Sequence, residues 1–292
     1  MVVIKDGWRE GNSYRKWSDE HAAGGAEKMK LSFSTLGCPE WSWHDITATA
    51  RDLGYDGIEV RGVGRELSVP RVGEFTPRNM ESTIQELKRL ELTIPVLASA
   101  VALQGHGNRK ELIGEGRDYI DTAQRMGIEY VRVLGDNDPE PSEPVDDAWV
   151  LEGLQELAGY AAFMGVTILI ETYGCYADTE RLARLMENVP GVAALWDINH
   201  PYRYYGEPPE TTIQNLDGRI RHVHMKDTTM KDGRTCTSLM GSGTLPIEEC
   251  VGRLQDTGYD GFYSLEWVKR WDMSLEEPGI AFAQYVSYMK RF

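Results

Sequence analysis

The chain has 292 residues, 41% of them hydrophobic and 10% aromatic, which is enough to bury a large core and excludes a disordered chain or a disulfide-stapled miniprotein. Lys and Arg number 31 against 46 Asp and Glu, and the resulting charge of −15 repels nucleic acid and anionic membrane surfaces. The four cysteines (Cys38, Cys175, Cys236, Cys250) form no C-x-x-C pair, the start Met1–Gly11 has no apolar signal core, and no uncharged run reaches the ~18 residues of a membrane span, so a cytoplasmic protein is expected.

Residues 1–28 are polar and without period, with Trp8, Tyr14 and Trp17 scattered among charges, and read as an N-terminal extension that docks on the domain, on a second copy in a homo-oligomer, or frays. From Met29 onward strands and helices alternate. Strands are predicted at Lys30–Ser34, Gly57–Arg61, Thr93–Ser99, Tyr130–Leu134, Thr167–Glu171, Val192–Asp197, Ile220–Lys226 and Gly261–Glu266. Several are almost wholly apolar, as parallel strands covered on both faces must be. Helical patterns fall between them, at roughly 42–53, 76–90, 109–126, 146–164, 178–188, 210–217, 246–257 and 275–291, the second opened by Thr76-Pro77. Leu-Gly-Tyr-Asp-Gly-Ile-Glu-Val at 53–60 is echoed by Thr-Gly-Tyr-Asp-Gly-Phe-Tyr-Ser at 257–264. Eight strands, each followed by a helix, are the arithmetic of a single α/β domain, a (β/α)8 TIM barrel over residues 29–292. An open doubly wound sheet would want a Gly-x-Gly-x-x-Gly turn, and Gly62-Val63-Gly64 lacks the third glycine.

In such a barrel the chemistry sits where the strands end. Strand five ends in Glu171, strand six in Asp197, strand seven carries His222 and His224, and strand eight ends in Glu266. Three carboxylates and an imidazole on four successive strands suit a divalent ion, Mn²⁺ above Mg²⁺, Co²⁺ or Zn²⁺, with positions left for substrate oxygens. The rival is a metal-free glycosidase using Glu171 and Glu266 as its carboxylate pair.

Asp-x-x-His after strand six, His-x-His-x-Lys-Asp on strand seven, the glutamates ending strands five and eight, and Gly54–Val60 together resemble the sugar phosphate isomerase/epimerase superfamily, the xylose isomerase-like barrels, over about residues 29–292. The resemblance implies Glu171, Asp197, His224 and Glu266 as metal ligands, with His222 behind them. It implies a keto-sugar substrate (a ketose, an inosose or another cyclic polyol ketone) enolised to an enediolate, with Glu171 and Glu266 exchanging the proton from opposite faces. Epimerisation or isomerisation follows; loss of a β-hydroxyl would instead make the protein a lyase, an inosose-type dehydratase or a 3-keto-glycoside eliminase. Ala177 and Met230 stand where ketohexose 3-epimerases of the group carry a glutamate and an arginine, which favours the inosose isomerase/dehydratase branch. Endonuclease IV-like repair enzymes of the same superfamily need more histidines than the six present and a less acidic surface. A non-catalytic sugar-binding subunit is the remaining alternative.

Around this set, His200 would contact a substrate oxygen, and Lys226 would either stabilise an oxyanion or pair with Asp227 or Glu171. Trp41 and Trp43 would wall the site or simply pack, and Trp267 or Trp271 would cover the ion. His106 lies in a glycine-rich mouth loop. Glu59 and Arg61 are expected as an ion pair in the barrel mouth. Gly241-Ser242-Gly243 would cradle a phosphate or form a plain turn, and the acidic stretch Gly135–Pro144 would overhang the mouth.

Overall fold

The computed structural model describes residues 28–105, 108–141 and 144–292; the N-terminal extension with Trp8 and Trp17, and the mouth-loop residue His106, lie outside the described residues. Eight parallel strands form the barrel: β1 (Lys30–Ser34), β2 (Gly57–Glu59), β3 (Val96–Ala102), β4 (Tyr130–Leu134), β5 (Thr167–Glu171), β6 (Ala193–Asp197), β7 (Ile220–Met225) and β10 (Phe262–Leu265). They neighbour one another in the order β2-β1-β10-β7-β6-β5-β4-β3. Bonds from Ile58 N to Thr93 O, Val60 N to Val96 O and Ala98 N to Val60 O close the ring between β2 and β3. The expected fold is therefore the observed one.

Around the barrel run α1 (Trp43–Leu53), α2 (Met80–Leu90), α3 (Arg109–Met126), α4 (Asp147–Met164), α5 (Thr179–Glu187), α6 (Asn199–Tyr205), α7 (Pro209–Asn215), α8 (Ile247–Asp256) and α9 (Pro278–Met289). Alternation within each strand divides the molecule into two cores. Outward residues such as Phe33, Ile58, Val131, Ile168, Val223 and Leu265 pack beneath the helices. Inside the barrel, Val96, Leu169, Ala193 and Leu195 form a small apolar plug with Tyr130 against it. The rest of the lumen is polar and buried: Ser32, Glu59, Arg132, His222, His224 and Ser264.

The sequence echo has a backbone cause. Gly54 (φ 80°) and Gly258 (φ 72°) both take the left-handed conformation that ends a helix, which a residue with a Cβ enters at a cost. The tyrosine after each turns inward, Tyr55 donating to Phe282 O and Tyr259 to Phe262 O, each at 2.9 Å.

Three elements differ from expectation. Thr76-Pro77 does not open α2; Thr76 O accepts from Asn79 N and Met80 N in a preceding turn, and the helix proper begins at Met80. The short α6 follows β6 directly. An antiparallel hairpin, β8 (Asp227–Lys231) and β9 (Arg234–Ser238), rises after β7. Its turn residues Asp232 (φ 50°) and Gly233 (φ 76°) are both left-handed, the two-residue geometry that matches strand twist. No described helix is long and apolar enough to cross a membrane.

Candidate active site

Register brings the predicted ligands together. Glu171 and Asp197 are the last residues of β5 and β6, and Asp197 lies beside His224 in the β6–β7 pairing. Glu266 follows β10, its N–H donating to Met225 O and carrying the ladder one residue further. His224 Nδ1 therefore lies 3.5 Å from Glu171 Oε1, 3.4 Å from Glu266 Oε1 and 3.8 Å from Asp197 Oδ2. All four side chains are buried, yet His224 Nδ1 has no hydrogen-bond partner. A buried ring nitrogen without a hydrogen bond, facing three carboxylates, is a set of donors that a divalent cation would satisfy together.

The opposite edge of the same ring is tied down. His224 Nε2 lies 3.0 Å from Glu59 Oε2, which His222 Nε2 also meets at 2.8 Å and Ser264 Oγ at 3.0 Å. A carboxylate can only accept, so Nε2 of His224 carries a proton and Nδ1 is the ring nitrogen turned to the acids; burial lowers the imidazole, and Glu59, Glu266 and Glu171 outweigh it and raise it above its ordinary value. This carboxylate–imidazole arrangement is the one that orients metal-binding histidines. Burial pushes the Glu59 carboxyl upward, and the two histidines more than reverse that, holding it well below the usual range. The expected Glu59–Arg61 ion pair is thus absent: Glu59 faces the lumen, whereas Arg61 Nη1 donates outward to Leu67 O at 3.2 Å.

Two cations stand among the acids. Arg132 projects from β4, Nε 3.1 Å from Glu171 Oε2 and Nη1 donating to Ser99 O at 2.8 Å. Burial raises the Glu171 carboxyl, but Arg132 and then His224 outweigh it and keep the group ionised. Lys226 Nζ is 2.6 Å from Asp197 Oδ2 and also bonds Glu266 Oε2, so its partners are these two acids and neither Asp227 nor Glu171. Burial lowers the lysine and acts against its charge; Asp197 and Glu266 overturn this and raise it above its ordinary value.

Asp197 divides its work between its oxygens. Oδ1 accepts from Asn199 N at 2.8 Å and His200 N at 3.3 Å, which starts α6, while Oδ2 faces His224 and Lys226. His200 donates from Nδ1 to Thr172 O at 3.0 Å, leaving Nε2 available, and its ring lies between Tyr173 (edge-on, 5.3 Å) and Tyr204 (stacked, 5.8 Å). Both tyrosines are half-buried and feel the site's charges: burial and then Glu171 raise Tyr173, and burial with Glu140 raises Tyr204. Arg203 of α6 grips the hairpin base through Thr228 Oγ1 at 2.9 Å and Thr244 Oγ1 at 2.7 Å.

The flanking residues sort differently from expectation. Asp227 accepts from the N–H groups of Gly241 (3.0 Å), Gly243 (2.7 Å) and Leu245 (3.2 Å), so the glycine turn already holds an internal carboxylate and is no phosphate cradle. Trp43 packs on Phe75 and donates to Glu86 at 3.2 Å, a structural role. Trp41 is half-buried, edge-on to Phe282. Trp267 is buried with its N–H on Glu276 O, and Trp271 is 61% exposed. Five residues of the site escaped the sequence reading: Glu59 in this role, Arg132, Thr172, Tyr173 and Tyr204. Arg132 had a signal, a lone charge inside the apolar strand Tyr-Val-Arg-Val-Leu.

Comparison with known proteins finds the same barrel. A curated relative, fructoselysine 3-epimerase of Shigella flexneri, is 26% identical over 271 residues, covering 86% of this chain and 93% of that one. The probable 3-DHS dehydratase AsbF of Bacillus anthracis superposes with a TM-score of 0.74 at 19% identity, covering 90% of this chain and 99% of that one. The IOLI protein, solved with a bound zinc atom, superposes at 0.73 and 18% identity, with 89% and 97% covered. The sequence profile of the xylose isomerase-like TIM barrels matches residues 47–289, most of the chain. The chain belongs to the xylose isomerase-like TIM barrel family.

Proposed function

We propose that the protein is a divalent-metal-dependent epimerase or isomerase of keto-sugars, with Glu171, Asp197, His224 and Glu266 as ligands. The observation that carries this is His224 Nδ1: buried, without a hydrogen-bond partner, held by Glu59 from behind and faced by the three carboxylates at 3.4–3.8 Å. The oxygen-rich set with one imidazole fits Mn²⁺ best among the divalent ions, with Mg²⁺, Co²⁺ and Zn²⁺ also compatible. Such an ion supplies positive charge next to a carbonyl and its neighbouring hydroxyl, which acidifies the C–H between them.

The chain's own residues do the rest. Glu171, kept ionised by Arg132, takes the proton from one face of the substrate carbon. Glu266, on the other side of the set, delivers a different proton to the opposite face, and both carboxyl groups re-equilibrate with solvent between turnovers. Lys226, already beside Asp197 and Glu266, donates to the oxygen on which negative charge develops. His200 Nε2 and the rings of Tyr173 and Tyr204 hold the sugar hydroxyls and face.

The test is solvent exchange. In D₂O with Mn²⁺ added, proton NMR of ketoses, inososes, sugar–amino acid conjugates and 3-keto-glycosides should show one C–H next to a carbonyl disappearing, chelator abolishing the loss. Glu171→Gln and Glu266→Gln should each slow it ~10²-fold or more. A double bond in the product would make the protein a lyase, a reading to which the likeness to a probable dehydratase lends the fold. Full exchange in both variants would remove the acid–base assignment.

A further inference from the structure

The loops after β1, β2 and β10 meet at the barrel end that carries Glu171, Asp197 and Glu266. Arg270 ties them together, its backbone N–H on Leu36 O at 3.0 Å and Nη2 on Gly64 O at 2.5 Å. Between them lies a cavity of about 450 Å³ lined by Pro39, Glu40, Gly64, Arg65, Arg270 and Met273. Arg61 stands beneath the same loops, 8% exposed, its backbone N–H on Thr35 Oγ1.

Eight other arginines find a carboxylate within 4.0 Å (51, 109, 117, 132, 181, 184, 253 and 291). Arg61, Arg65 and Arg270 have none among the described residues, as is also true of arginines 71, 78, 89, 125, 203, 219, 221 and 234; what sets the three apart is that they share these loops. A guanidinium does not escape burial by losing its proton, and the buried Arg61 and half-buried Arg270 are held at close range by backbone carbonyls, of Leu67 and Gly64, rather than by an acid. Burial, then Arg132 and Arg270, act against the Arg61 cation and outweigh Tyr119 and Glu115, which act for it, and burial acts against that of Arg270. Across the mouth the charge is reversed: Asp138 acts on Tyr173 and Glu140 on Tyr204. Arg270 lies four positions after Glu266, at most about 14 Å of extended chain.

We infer that this cavity is an anion subsite that takes a carboxylate or phosphate at the far end of the sugar substrate, read by Arg65 and Arg270 with Arg61 behind them. The inference rests on the keto-sugar reading for what enters the barrel. Planar guanidinium forks suit either anion, and Glu40, the one acid on the cavity wall, leaves room for a cationic group beside it, as an amino-acid tail would carry.

The experiment uses polyols that cannot be enolised, so binding is read without turnover. Metal-loaded full-length protein is titrated calorimetrically with sorbitol, sorbitol 6-phosphate and N-sorbitylglycine. At least one charged polyol should bind about tenfold tighter than sorbitol, and the advantage should shrink with salt. The stronger of the two identifies phosphate or carboxylate. Arg65 is exposed, so Arg65→Ala should fold; it should reduce the ratio severalfold, and Arg65→Glu should bring it below one. Equal affinity for all three polyols, no binding of any, or an unchanged ratio in both variants overturns the subsite. Solvent exchange with neutral ketoses but no charge preference would overturn the subsite alone; a charge preference without exchange on any substrate would overturn the enzyme reading alone.

Discussion

Glu59 illustrates how a single side chain sets the chemistry of its neighbour. Three donors converge on its Oε2 within 3.0 Å, and the one from His224 decides which ring nitrogen faces the acids. Replacing the carboxylate by an amide keeps the volume but weakens the acceptor and introduces a donor. Glu59→Gln should therefore weaken Mn²⁺ binding about 10- to 100-fold in a titration while leaving the far-ultraviolet circular dichroism unchanged. His222→Ala should cost less, since His224 retains its bond. Equal metal affinity in Glu59→Gln and the wild-type protein would remove the orienting role.

Elements are held to one another by fewer groups. Asp147, at the start of α4, receives Arg181 of α5 at 2.7 Å and the Tyr176 hydroxyl at 2.7 Å. Burial raises its pKa, but the Arg181 and Tyr176 bonds prevail and lower it below the ordinary aspartate value. A group depressed in the folded state contributes stability above its unfolded pKa, lost as pH falls through the folded one. Asp147→Asn should then be less stable than wild type by about 0.5 kcal/mol near pH 7, solvent screening included, because the pair is half-exposed. The gap should close between about pH 4 and pH 2, as urea melts at several pH values would show. A gap constant with pH would mean that packing, not charge, joins α4 to α5.

At the scale of the whole molecule the barrel is unevenly sealed. β5 and β6 run five residues each, whereas β2 has only three and meets β3 through isolated bridges. Opening a barrel costs least where fewest ladder bonds break. The amides of Ile58, Val60 and Ala98, which close that seam, should exchange with deuterium earlier than those of Ile170 or Leu195 in native-state hydrogen exchange. Uniform protection around the ring would show that the helices outside, rather than the strand ladder, set the opening. The same seam lies below the arginine-lined loops, so a ligand bridging Arg65 and Arg270 would be expected to protect it.

Much of this was legible in the sequence. Apolar runs of five residues between Gly-terminated helices can only be buried parallel strands, so the barrel and its eight strands follow from periodicity and length. Acids at the ends of three barrel strands lie at the end of the barrel where such folds carry their chemistry, so Glu171, Asp197 and Glu266 stand out as candidates from position alone. The Asp232-Gly233 turn was also readable, although the polar residues flanking it lack the alternation that marks a strand. What pairs with what was not readable. Glu59 and Arg61 are two residues apart and look like partners, yet alternation sends one into the lumen and the other toward the loops. Lys226 adjoins Asp227 in the chain and instead reaches Asp197 and Glu266, while Asp227 turns away to hold the glycine loop. Local pattern determined which elements form and where their ends lie, because that depends on periodicity and on which residues can end a helix or strand. Partner choice among buried charges was decided only by the tertiary structure, because it depends on which strands close beside one another and which face each side chain takes.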